Sequence, residues 1–128
     1  MRSPDKLWGV ERAPEGLVDA MRSKGRRINI ATEGSDDLRT LEYFRAEASV
    51  GGEDMMSIIL RQNPSKAAAL EEFLHGTQHR LGIIDRLGRS GLGSAETHVK
   101  DFMIRHQRLL GLSDEDNQIL QKLRDAGL

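Results

Sequence analysis

The sequence predicts an α+β fold, a single domain over residues 1–128 with about five helices and a small sheet of two or three strands. Three observations carry that expectation. Several stretches repeat apolar residues at helical spacing and are closed by capping residues, two short runs suited to strands flank a Gly-Gly loop, and 128 residues at 38% hydrophobic content suffice for one core.

The elements follow in order. Pro14 to Lys24 reads as a short helix opened by proline and stopped at Gly25, with Leu17, Val18 and Met21 inward. Ile28 to Ala31 is a short strand. Ser35 caps a second helix through about Arg45, placing Leu38, Leu41 and Phe44 along one side. Ala46–Val50 and Met55–Arg61 flank Gly51-Gly52-Glu53-Asp54, the composition of a hairpin loop. Asn63-Pro64-Ser65 ends the second of these strands, since proline cannot continue a ladder, and Ser65 caps what comes next. From Lys66 to about Leu81 the pattern is strongly helical, with Leu70, Leu74, Thr77 and Leu81 in one stripe. Arg86 to Gly93 reads as a flexible connection. Ser94 then caps a long helix through Leu110, with Ala95, Val99, Phe102, Met103, Leu109 and Leu110 as its apolar stripe and Gly111 as its stop. Ser113-Asp114-Glu115-Asp116 opens a last helix carrying Ile119, Leu120 and Leu123. Trp8 is expected to anchor the N-terminus, and the run Arg22 to Arg27, with no aromatic residue interleaved, reads as a solvated helix end.

Composition narrows the function classes. A net charge of −1, from 19 basic and 20 acidic residues, gives no global pull toward nucleic acid or an anionic membrane. With no cysteine, neither disulfides nor thiolate metal sites are available, so any metal must be held by His, Asp or Glu. No segment approaches the roughly 20 apolar residues that span a bilayer, and the first residues lack the apolar run of a signal peptide. The expectation is a soluble chain, or a soluble module of a longer secreted protein.

One pentapeptide carries chemistry. Glu71-Glu72-Phe73-Leu74-His75 is the zinc-protease motif H-E-x-x-H with glutamate in place of the first histidine. In the parent motif the residues at i and i+4 ligate the metal from one helix face, and the glutamate between them activates a water. Here Glu71 and His75 would be ligands and Glu72 the base. At roughly 100° per residue, Glu71 and His75 stand about 40° apart beside the apolar stripe, with Glu72 nearer the far side. Glu96 lies 21 positions after His75, in the first turn of the next long helix and on the edge of its stripe, where a third ligand is wanted. His98 falls on the other edge and suits a neighbouring or substrate-binding role. Gln78 stands near the Glu71 face as a supporting residue, and His106 falls mid-stripe as a buried core histidine. His79 is the alternative ligand, because His75 and His79 are also spaced i, i+4. Two carboxylates and one imidazole form a harder donor set than the parent motif, which admits manganese or iron besides zinc.

The stretch Arg61-Gln62-Asn63-Pro64-Ser65, then Leu70 to Arg80, then Glu96 leading into Asp101 to Arg105, resembles the zincin-like metallopeptidase toxin domains found at the C-termini of bacterial polymorphic and contact-dependent toxins. The likeness covers about Met55 to Leu123. It implies a small zincin-like α+β fold in which two long helices frame one divalent metal, zinc by analogy. It implies Glu71, His75 and Glu96 as ligands, Glu72 as base, a protein or peptide substrate, and an immunity protein as partner. Such a domain would be delivered as part of a larger toxin and act in a target-cell cytoplasm. Two other readings stand beside it: a metal-independent ribonuclease toxin using His75 or His79 with Arg80, and a non-catalytic degenerate zincin that serves as a binding module.

Overall fold

Six helices and three strands follow one another among the residues described by the computed structural model, 11–83 and 91–126, the side chains of 91–94 excepted. They are α1 (Glu15–Ser23), β1 (Arg27–Ile30), α2 (Asp36–Phe44), β2 (Ala48–Gly51), β3 (Ser57–Leu60), α3 (Lys66–Arg80), α4 (Gly91–Arg105), α5 (Gln107–Leu110) and α6 (Asp114–Asp125). The chain is therefore a small α+β domain with a three-stranded sheet, as its sequence leads one to expect. Trp8 and residues 86–90 of the expected connection lie outside the described residues.

The sheet has the order β1-β3-β2. β2 and β3 form the expected hairpin, antiparallel, with Val50 opposite Ile58 and Ala48 opposite Leu60. β1 lies parallel to β3 on its other side, Ile28 opposite Ile58 and Ile30 opposite Leu60, with α2 in the crossover that parallel pairing requires. Alternation then sorts the side chains. Ile28, Ile30, Val50, Ala48, Ile58 and Leu60 share one face and pack with Met21, Leu17 and Val18 of α1 and Ala68, Ala69 and Phe73 of α3. Ile59, on the opposite face, packs with Leu38 and Leu41 of α2. The hairpin turn is held by Asp54, whose carboxylate takes a forked pair from Arg27 at 2.7 and 3.1 Å and a bond from Met56 N at 3.0 Å.

Capping places the helices where serine stands before them. Ser35, Ser65 and Ser113 each accept from the backbone N–H three residues on, at 3.1, 3.0 and 3.1 Å. Gly25 takes φ +88° past the end of α1, with Arg26 N bonded to Met21 O at 3.1 Å, an αL stop that glycine adopts without strain.

α3 is the centre of the molecule. Its alanines 68 and 69 lie on the sheet, while Ala67 and Leu70 join Val99 and Met103 of α4 and Leu120 of α6 in a second core. Covered from both sides, it buries Glu71, Glu72, His75, Gly76 and Gln78 as well as Ala67, Ala69 and Leu70. The single stripe expected from Leu70, Leu74, Thr77 and Leu81 therefore undercounts the buried surface, and it overreaches at Leu81, which is 57% exposed beyond the helix end. Other apolar residues expected inside also lie out: Phe44 ends α2 at 48% exposed, and Leu109 of α5 is 80% exposed.

Four more expectations are corrected. α4 starts at Gly91, three residues before Ser94, so Ser94 lies inside the helix rather than capping it. The expected helix to Leu110 also steps at His106, where φ is −106° and ψ 31°, and His106 is half-buried against the Phe102 ring rather than in the core. Arg26, placed in a solvated basic run by the sequence, is buried. Its guanidinium bonds Phe73 O at 3.1 Å and Thr77 Oγ1 at 2.8 Å and lies 4.1 Å over the Phe73 ring, tying the α1–β1 turn to α3.

Gly76 shows how close that approach is, since a Cβ there would stand 2.6 Å from Met55 O, a backbone atom that cannot swing aside. In an ordinary helix Gly→Ala stabilises by about 1 kcal/mol. Here Gly76→Ala is expected to destabilise by about 1–3 kcal/mol through overpacking, a reversal of sign that urea unfolding of the two proteins reads directly.

Candidate active site between the two long helices

α3 and α4 run antiparallel, because residue 71 meets 100, 75 meets 96 and 78 meets 95 across the seam. That pairing brings the sequence-separated Glu96 onto His75. Glu96 Oε1 is 3.3 Å from His75 Nε2, and its other oxygen is 2.9 Å from Lys100 Nζ. Lys100 also reaches Glu71, Nζ to Oε1 at 3.0 Å. This second contact is a charge pairing out of hydrogen-bonding line, so the buried Glu71 oxygen accepts no hydrogen bond.

Gln78 fixes the protonation pattern around His75. Its amide nitrogen donates to the carbonyl of Ala95 at 3.1 Å, an acceptor with no proton of its own, so its oxygen must face His75 Nδ1 at 2.9 Å. Nδ1 therefore carries a proton. The same amide nitrogen stands 2.9 Å from His98 Nδ1, which must accept. Gln78 thus bonds both histidines, and His98 is linked to the cluster through it.

The electrostatics follow from burial. Burial alone would lower the pKa of His75, but the Glu96 bond and charge, with Glu72 and Gln78, override it and raise the imidazole to about 9. Burial would raise Glu96, yet His75 and Lys100 bring it down to about 2. Glu72 is pushed up to about 8, first by burial and then by the charges of Glu71 and Glu96, against which His75 is the opposing charge. The expectation that Glu72 turns toward the far side of α3 is thus corrected: it is buried within the field of the cluster, because that side of the helix is covered too.

The seam gathers Glu71, Glu72, His75, Gln78, Glu96 and His98. It leaves out His79, which is exposed near the end of α3, so the alternative His75–His79 pair is not assembled at the cluster. Sequence reasoning missed Lys100, 2% exposed and central to the charge balance. Its one signal was the i, i+4 spacing from Glu96, which ordinarily marks a surface pair.

Among the described residues no three His, Asp or Glu side chains converge as a metal-binding group, and the ammonium of Lys100 fills the cationic position between the two carboxylates. The donor chemistry nevertheless fits a divalent ion once that ammonium withdraws. Glu71 Oε1 lacks a hydrogen-bond donor. The 3.3 Å between His75 Nε2 and Glu96 Oε1 is close to the roughly 3.4 Å that separates two ligands bonded at about 2.1 Å to one tetrahedral ion. Comparison with protein-family models, with curated proteins and with solved structures finds no match to the chain.

The shifts set a pH dependence in chelator-treated protein. Glu72 holds its proton in the fold up to about 8 while the unfolded chain releases it near 4.5, so stability falls as pH rises between those values. The contribution of His75 is fully present below 6.5 and is lost as pH rises through about 9. That of Glu96 is present above 4.5 and lost as pH falls toward about 2. Urea unfolding is expected to show stability declining from weakly acid to alkaline pH, with the acidic part of that decline removed in Glu72→Gln. A flat profile in both proteins would refute the assignment.

Proposed function

We propose that the chain is a metal-dependent hydrolase of the zincin-like class, a toxin effector domain that cleaves peptide bonds, with Glu71, His75 and Glu96 holding one divalent cation and Glu72 as general acid–base. The observation that carries the reading is the meeting of Glu96 with His75: the third donor, 21 residues downstream on a second helix, lands against the motif histidine. When bound, such an ion lowers the pKa of a water and polarises a carbonyl.

The chain's own residues do the rest. Gln78 holds a proton on His75 Nδ1, so Nε2 is the ring atom a cation would take, in exchange for the proton it shares with Glu96. Glu72 is raised to about 8 by burial and by its carboxylate neighbours in the metal-free cluster; a cation neutralising those neighbours would bring it down, leaving a carboxylate that takes a proton from water and returns it to a leaving amine. Burial of the cluster between α3 and α4 excludes bulk water, which strengthens every charge interaction inside it.

Lys100 favours a second reading. Because its ammonium already pairs with both carboxylates, the cluster is satisfied as it stands, and a non-catalytic binding module is its natural description if no ion displaces the lysine. The ribonuclease reading has less to support it, since His79 and Arg80 are exposed and His75 is buried away from them.

Expression of the wild-type chain in a bacterial cytoplasm is expected to arrest growth. Glu72→Gln, with an unchanged circular dichroism spectrum, is expected to relieve the arrest and to lower cleavage of a labelled protein substrate by about 100-fold or more. Full toxicity of the folded variant would sink the catalytic role of Glu72.

A further inference from the structure

We propose that Lys100 is the resident counter-ion of this site, a side chain that holds the Glu71 and Glu96 carboxylates in place until a divalent cation displaces it. The inference rests on the hydrolase reading and adds to it the group with which any cation must compete.

Three observations support the assignment. Lys100 is 2% exposed, and a lysine is kept so deep only where its charge is paired. Its ammonium contacts one oxygen of each of two proposed donors, Glu71 Oε1 at 3.0 Å and Glu96 Oε2 at 2.9 Å, while the remaining Glu96 oxygen meets the third donor, His75, at 3.3 Å. The pairing with Glu71 is made at hydrogen-bond distance but without a hydrogen bond. That oxygen is thus neutralised but not saturated, and it remains a better ligand than a fully bonded carboxylate. A flexible four-carbon stem lets a lysine withdraw its head toward water while the stem stays packed, which a rigid guanidinium fork does less readily.

Lys100 is therefore a positioning residue. It keeps two carboxylates together that would otherwise repel across the seam, and it sets the threshold a metal has to overcome. A purely structural lysine would stabilise the fold equally with and without metal. A counter-ion would not.

The test uses the full chain, stripped with chelator, and the variant K100M, titrated with zinc by calorimetry and followed by thermal unfolding. K100M is expected to melt below wild type without metal, to recover on adding zinc, and to bind zinc about tenfold tighter or more. In the wild-type chain, acetylation of Lys100 by a water-soluble acylating reagent, read by mass spectrometry, is expected to be slow without zinc and several-fold faster at saturation. Equal zinc affinity of the two proteins, or Lys100 acetylation unmoved by saturating zinc, would overturn the proposal. Should K100M fail to fold with zinc and without it, the wild-type labelling decides alone. Zinc binding by neither protein overturns the hydrolase reading together with this one, whereas zinc bound by a wild-type chain whose Lys100 stays unreactive overturns this one only.

Discussion

The structure depends on the burial of α3 from both sides. A helix with the sheet against one flank and α4 against the other has no wet face along its middle, so whatever polar residues it carries there must find partners inside the protein. Glu71, Glu72, His75 and Gln78 are all within that stretch. α4 answers them in register, with Lys100 to Glu71, Glu96 to His75 and the Ala95 carbonyl to Gln78. The close approach at Gly76 and the buried Arg26 belong to the same constraint, since both serve the sheet-side contact of α3.

Much of the fold was legible because it is written in local chemistry. Ser35, Ser65 and Ser113 cap the helices expected of them, and the Gly-Gly loop closes the hairpin expected of it. What failed was the inference from period to burial. An apolar stripe tells which face is buried only when the opposite face is wet. α3 breaks that condition, so its carboxylates could not be ranked by their angle from Leu70 and Leu74. The exposure of Phe44, Leu81 and Leu109 is the complement of that error. Phe44 and Leu81 stand at or just past a helix end, where the period continues but the helix does not; Leu109 follows the step at His106, after which Leu110 rather than Leu109 packs on the core.

The site divides along the same line. Glu71 and His75 are legible as a motif at i, i+4 and Glu96 by its place on the following helix; the structure sets Glu96 against His75 and pairs Glu71 with Lys100. Lys100 is not legible in that way, because Glu96 and Lys100 are also i, i+4, and an exposed pair at that spacing contributes only about 0.2–0.5 kcal/mol. Nothing in the three intervening residues distinguishes a solvated pair from a buried one. The distinction comes from Glu71, 29 positions upstream on another helix, whose carboxylate turns a two-residue pair into a three-residue network.

That network bears on what the seam can do. Two carboxylates set against an ammonium and an imidazolium need no further charge, which explains how so polar a cluster is tolerated between two helices. An ammonium can neutralise and donate hydrogen bonds, but it has no empty orbital and so cannot accept an electron pair from a carbonyl or a water. With Lys100 in place the cluster holds a carboxyl group, Glu72, suited to proton transfer near neutral pH, and lacks an electrophile. A divalent cation would bring that electrophile through oxygens Lys100 already touches. On the proposed hydrolase reading, the same residues would therefore form a hydrolytic site only with a divalent cation, rather than Lys100, between Glu71 and Glu96.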